Sequence, residues 1–327
     1  MKSVLVGIAF FVALGAAAQQ QPKQAAPPEP APIVPAPIVR QTPQIPTIVV
    51  ESRLVPIALN VVDEKGVPVA GLTIDDFEVK EDNKPQKISI FDKESVTPLS
   101  IVLAIDASES VFSDERLERE AARKFVRSIL RPQDQIDLME FDDTVRELVP
   151  FSNDAGRLDD GLGRMTRGDA TAMYDAIYLA SDRLQETKSD GGRRVIVMIT
   201  DGEDTAHHGN YPSALEEAQR AGAMIYALII VPIHNDAGRN TGGEHALIQM
   251  ASDTGGKYFY VEDKRDLGPA FQHVSDDLRT QYTLGYYAPQ HGGDIHGFRH
   301  IDIQLKDPAL RAKYSLRYRN GYYSGKK

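Results

Sequence analysis

Three stretches of this chain are almost continuously apolar over six to eight residues: Ser100–Ile105, Val195–Thr200 and Met224–Val231. A strand with one face in water alternates apolar and polar residues, so a strand apolar on both faces has to be covered on both. Between and after these stretches run patterns of helical period. Leu117, Ala121, Phe125 and Ile129 recur at spacing four, with Pro132 barring continuation. Met173, Ala176, Ile177, Ala180 and Leu184 form a second stripe, and Leu267, Phe271, Val274 and Leu278 a third. Buried strands alternating with amphipathic helices predict an α/β fold, a doubly wound and mostly parallel sheet over residues 97–280. Ile136–Phe141 and Val145–Val149, joined by Asp142-Asp143-Thr144, predict a strand pair that adds one antiparallel edge strand.

The flanks have a different grammar. Leu54–Val62, Phe77–Lys80 and Lys87–Phe91 read as strands, separated by the turn Asp63–Gly66 and by Asp82-Asn83-Lys84-Pro85. Beyond residue 280, Tyr282–Tyr287, His300–Leu305 and Tyr314–Tyr318 read the same way. Segments 47–96 and 281–327 are each about 50 residues, marginal alone by surface-to-volume scaling. Together they predict one β-sandwich assembled from both ends.

Ahead of them, Lys2, the apolar run Val4–Leu14 and Ala16-Ala17-Ala18 have the layout of an export signal over residues 1–18. The fifteen residues Val4–Ala18 fall short of a span, which takes roughly 20. Residues 19–46, with nine of the twenty Pro, read as an extended tether. The expectation is an exported product, periplasmic or extracellular, with no spanning helix after signal cleavage.

Charge sharpens this division. The chain carries −10 overall, but residues 281–327 hold eight Lys or Arg against three Asp or Glu, with seven of the thirteen Tyr. Residues 97–280 hold twenty Lys or Arg against thirty-three Asp or Glu, a net −13. An acidic central block argues against a nucleic-acid partner, since phosphate recognition needs a concentrated basic surface. The absence of Cys excludes disulfide scaffolds, thiolate zinc sites and catalytic thiols.

In a doubly wound sheet, ligands bind outside the carboxyl ends of the strands. There the sequence places Asp106-Ala107-Ser108-Glu109-Ser110, Asp201-Gly202-Glu203-Asp204-Thr205, and between them Gly168-Asp169-Ala170-Thr171. Asp106, Ser108, Ser110, Thr171 and Asp201 form an all-oxygen donor set, suited to Mg²⁺ or Mn²⁺ and unlike zinc or copper sites. Hydroxyls are neutral ligands, so a bound cation would keep residual positive charge and an open position. A protein partner presenting Asp or Glu would fill that position.

These residues resemble the metal-ion-dependent adhesion site of the von Willebrand factor type A (VWA) domain: Asp-x-Ser-x-Ser, a distant Thr, and an Asp followed by Gly after a buried strand. The resemblance spans about residues 97–280 and matches Asp106, Ser108, Ser110, Thr171 and Asp201 in order. It implies that the two Ser and the Thr contact the metal directly or through water, and that the two Asp complete or support its shell. It also implies a non-enzymatic adhesion function. The flanking phrases Val62–Gly66, Gly71–Phe77, Tyr282–Tyr287 and Arg319–Tyr322 resemble a VWA-related subgroup common in acidobacteria.

Other features carry weaker signals. Pro232–Gly243, with His234, Asp236 and Arg239, reads as a long polar loop on the same edge, either a selectivity rim or plain surface. His207 and His208 are adjacent, unlike zinc ligands at spacing four, and Asp175 reads as bonding local backbone or buttressing the Thr171 loop rather than binding metal. Alternating Tyr near the C-terminus reads as cross-strand packing. No Gly-x-Ser-x-Gly, His-Glu-x-x-His or Gly-x-x-x-x-Gly-Lys-Ser/Thr pattern occurs, so catalysis is not expected. The rival readings are an envelope assembly protein docking through its β-domain and a Mg²⁺-dependent hydrolase.

Overall fold

Apolar strands can satisfy their backbone N–H and C=O groups only against one another, and the three apolar stretches do this side by side at the centre of the fold. The computed structural model describes residues 53–93, 97–108, 115–187, 192–206, 208–231, 241–288 and 297–325. The expected signal and tether lie outside these.

The N-terminal flank supplies β1 (Arg53–Asp63), β2 (Phe77–Glu81), β3 (Lys84–Gln86) and β4 (Ile88–Asp92). The central block runs β5 (Leu99–Asp106), α1 (Glu115–Ile129), β6 (Gln135–Phe141), β7 (Val145–Ser152), α2 (Ala155–Leu162), α3 (Met173–Glu186) and β8 (Arg193–Thr200). It continues with α4 (Tyr211–Ala221), β9 (Ala223–Ile230), α5 (Thr241–Thr254), β10 (Lys257–Val261) and α6 (Leu267–Arg279). The C-terminal flank adds β11 (Tyr282–Ala288), β12 (Phe298–Leu305), α7 (Pro308–Arg311), β13 (Tyr314–Arg317) and β14 (Gly321–Tyr323).

The six central strands lie in the order β10-β9-β8-β5-β6-β7, and only the β6–β7 pair is antiparallel. The two-residue period of β5 divides its side chains between two cores. Leu99, Ile101, Leu103 and Ile105 join α1, α2 and α6, while Val102 and Ala104 join α3, α4 and α5. Phe125 of α1 and Phe271 of α6 stack at 4.5 Å between ring centroids. Burying each ring contributes about 1.5–3 kcal/mol. Leu117, expected on the buried stripe, is instead exposed on the first turn of α1.

Both flanking segments contribute to each of two four-stranded antiparallel sheets, ordered β13-β1-β11-β4 and β14-β12-β2-β3. Their facing side chains share one core, including Ile57, Leu59, Phe77, Leu284 and Ile303. Tyr282, Tyr286 and Tyr322 lie in it, as the packing reading expects, whereas Tyr287 is exposed. Lys84 and Pro85, expected in a turn, belong to β3. The hairpin closes on Asp82 and Asn83 alone, both at positive φ (46° and 64°), the backbone a two-residue turn of matching twist requires. Among the described residues, no helix is long and apolar enough to cross a membrane.

Candidate metal centre

The pairing of β5 with β8 decides what sits at the upper edge of the sheet. Ile105 lies opposite Ile199, so the next residues, Asp106 and Thr200, meet as the strands end. Thr200 Oγ1 donates to Asp106 Oδ2 at 2.6 Å, and the Ser108 backbone N–H donates to Asp106 Oδ1 at 2.9 Å. Asp106 is fully buried, and Asp201, Ser108 and Thr171 are nearly so.

The three loops are fastened to one another by backbone. Ser108 bridges to Gly168, and the Gly168 N–H donates to the Ala107 carbonyl at 3.1 Å. A Cβ at Gly168 would lie 2.3 Å from the Cβ of Asp142, so only glycine lets this loop approach the turn between β6 and β7. Thr205 links the other two: its N–H donates to the Thr171 carbonyl at 2.9 Å, and its Oγ1 accepts from the Thr171 N–H at 2.9 Å. Asp204 Oδ1 accepts from the Tyr174 N–H at the start of α3. At Gly202, φ is +84°, a conformation that favours glycine.

Asp106, Ser108, Thr171 and Asp201 are thus brought to one edge. Ser110 lies outside the described residues, as do His207, His234, Asp236 and Arg239. Thr241–Gly243, read as the end of a loop, form the first turn of α5. Asp175 lies 3.6 Å from His208 Nδ1, an ion pair on the surface when the imidazole is protonated.

Among the described residues the site is acidic. Burial pushes the Asp106 carboxyl up to about 7, with a smaller contribution from Asp201, while the bonds from Ser108 and Thr200 pull the other way. Burial and Asp201 also raise Glu203. Among the described residues neither Asp106 nor Asp201 forms an ion pair, and the Thr171 hydroxyl makes no hydrogen bond. Two clustered carboxylates beside the Ser108 and Thr171 hydroxyls, with no ion-paired cation among the described residues, fit a hard divalent ion. Among the described residues no group of three His, Asp or Glu gathers as a metal cage.

Gly168 and Thr205 lie in loops the sequence placed at this edge, but their fastening roles were not legible there, and Thr200 was not legible at all. Thr200 has the sequence signature of a strand end, and its role follows only from the β5–β8 register.

A doubly wound sheet with Asp106, Ser108, Thr171 and Asp201 gathered where its strands end defines a domain of the VWA type. The chain belongs to the von Willebrand factor type A domain family, whose family model matches residues 100–273. Domains of this family commonly mediate protein–protein interaction, are mostly not enzymes, and often hold a divalent metal. The chain is similar to calcium-activated chloride channel regulator 4 of Homo sapiens, 26% identical over 187 residues, which is 55% of this chain and 19% of that protein. Among solved structures it resembles conserved hypothetical protein BatB from Bacteroides thetaiotaomicron, 22% identical with a TM-score of 0.45, over 55% of this chain and 97% of that one. It also resembles the vWF domain of the type V pili tip protein Mfa5 from Porphyromonas gingivalis, 15% identical with a TM-score of 0.46, over 56% of this chain and 96% of that one.

Proposed function

We propose that this protein is an exported binding module that holds Mg²⁺ above its central sheet and engages an acidic residue of a protein partner. Residues 97–280 form the module, and 47–96 with 281–327 form one supporting β-sandwich domain. The observation that carries the reading is the buried pair Asp106 and Asp201, crowded together with hydroxyls and left without a cation among the described residues.

In this reading Asp106 is a buried support, oriented by Thr200 and by the Ser108 N–H, while Asp201, Ser108, Ser110 and Thr171 offer oxygens to the ion. A bound Mg²⁺ supplies a Lewis-acidic position that a partner carboxylate can enter. The net −13 of residues 97–280 repels an acidic partner, so the ion also sets partner choice.

The test is capture of partners from an envelope extract by the immobilised full chain. Bound proteins are expected to elute with chelator, to rebind when Mg²⁺ is restored, and to be absent from an Asp201→Ala column. Capture that persists unchanged in chelator contradicts the reading and favours docking through the β-sandwich.

A further inference from the structure

At the opposite end of β8 from Asp201, where the central sheet meets the β-sandwich, lies a cavity of about 150 Å³. Among the described residues its lining includes Arg53, Arg193, Arg194, Arg220 and Arg319, and no Asp or Glu. Five guanidiniums around one cavity, in a chain of net charge −10, run against the overall charge balance. Backbone carbonyls accept from all five guanidiniums and orient them.

Arg53 Nη1 donates to the Ser324 carbonyl at 2.7 Å, Arg319 Nη2 to the Pro56 carbonyl at 2.6 Å, and Arg194 Nη1 to the Ala221 carbonyl at 2.9 Å. Arg193 donates to the Leu278 carbonyl and to Gln281. Arg220 pairs with the Glu216 carboxylate at 2.8 Å, and it lies 4.1 Å from the centre of the Tyr323 ring. Arg53 and Arg319 both sit over Tyr322, at 5.9 and 5.5 Å from its ring centre. Aromatic faces of this kind hold guanidiniums in place.

Donors are left over. Nε and Nη2 of Arg193, Nε of Arg319 and Oγ1 of Thr283 are buried without a hydrogen-bond partner, and all four belong to residues lining this cavity. Desolvation lowers Arg319 to about 10, with Arg53 and Arg194 adding to the effect and Tyr286 and Tyr322 opposing it. Buried cations left uncompensated are costly, and each unmade hydrogen bond adds to that cost.

We infer that this cavity is an anion site for a small tetrahedral oxyanion of the phosphate class, bound through the forked donors of Arg53, Arg193 and Arg319 with the Thr283 hydroxyl. Guanidiniums match the geometry of phosphate oxygens two at a time. A cavity of roughly this volume admits a benzene ring, so it has room for phosphate or sulfate. Occupancy ties the start of β8 and the end of α4 to β1 and the C-terminal strands, so the anion fastens the β-sandwich to the central sheet. The inference is independent of the metal centre.

The test is calorimetry of the full chain with inorganic phosphate and with sulfate, in chelator, on the wild type and on an Asp201→Asn background that disables the metal centre. Saturable binding of either anion is expected in both proteins. Sodium chloride at matched ionic strength should give none. Arg319→Gln should weaken binding about tenfold or more. Arg53→Gln, at the exposed mouth, tests the same site should the Arg319 variant fold poorly, and should weaken binding several-fold. Heat no greater than that of chloride, or unchanged affinity in Arg53→Gln, overturns the inference.

Discussion

Thr200→Val replaces a buried hydroxyl with a methyl of nearly the same shape, so its effect isolates one hydrogen bond. Thr200 Oγ1 donates to Asp106 Oδ2 at 2.6 Å and accepts from the Gly202 N–H at 3.1 Å, in a place with no exposure to solvent. A hydrogen bond to a charged acceptor contributes about 1.5–3 kcal/mol, and stranding the Gly202 N–H adds about 1 kcal/mol or more. The substitution should therefore lower unfolding free energy by about 2–4 kcal/mol in urea titrations. If Asp106 supports the metal, the loss of its orienting partner should also weaken Mg²⁺ binding about 10- to 100-fold, the usual consequence of removing a group that positions a metal's ligands. Calorimetry on chelator-stripped protein measures the affinity, and Thr200→Ser should restore most of it. A Thr200→Val protein that binds Mg²⁺ as tightly as the wild type refutes the role given to Asp106.

Two further substitutions test the surroundings. Gly168→Ala places a Cβ 2.3 Å from Asp142 Cβ, so it should cost about 1–3 kcal/mol in stability, measured by urea midpoint, and displace the Thr171 loop. Asp137 is fully buried in β6 with no donor partner, and burial, then Glu147, holds its carboxyl well above the ordinary range. A carboxyl raised in the folded state contributes stability at low pH that is lost as pH rises toward its folded value. Wild-type protein should therefore lose stability from pH 5 to pH 8 through this group, and Asp137→Asn should flatten that decline. Urea midpoints that fall equally in both proteins would contradict it.

What could be read in the sequence follows from where apolar side chains are concentrated. β5, β8 and β9 announce themselves because both of their faces are covered, and α3 because five large or small apolar residues share one face. α4 gives no such stripe: it buries Ala214, Glu217, Ala218, Gln219 and Ala221, small or polar residues that carry little periodic signal. α5 opens on Thr241-Gly242-Gly243, which resembles a loop, and buries Glu244 and Thr254 beside Leu247 and Met250. β10 is an edge strand with alternating half-buried and exposed residues. The site divides in the same way. Asp106 and Ser108 were visible because their spacing is local, Asp201 because it falls just after an apolar run, and Thr171 because it stands just before the apolar stripe of α3. Thr200 needed the register of two strands 94 residues apart, and Gly168 needed the position of Asp142. The arginine cavity was wholly hidden, since Arg53, Arg193 and Arg319 come from three distant segments.

The most direct test of the central account is Mg²⁺ calorimetry on chelator-stripped wild-type, Asp106→Ala and Ser108→Ala proteins, each checked for folding by circular dichroism. The account predicts one saturable site in the wild type and its loss in both folded variants. Mg²⁺ affinity unchanged in both variants would contradict it.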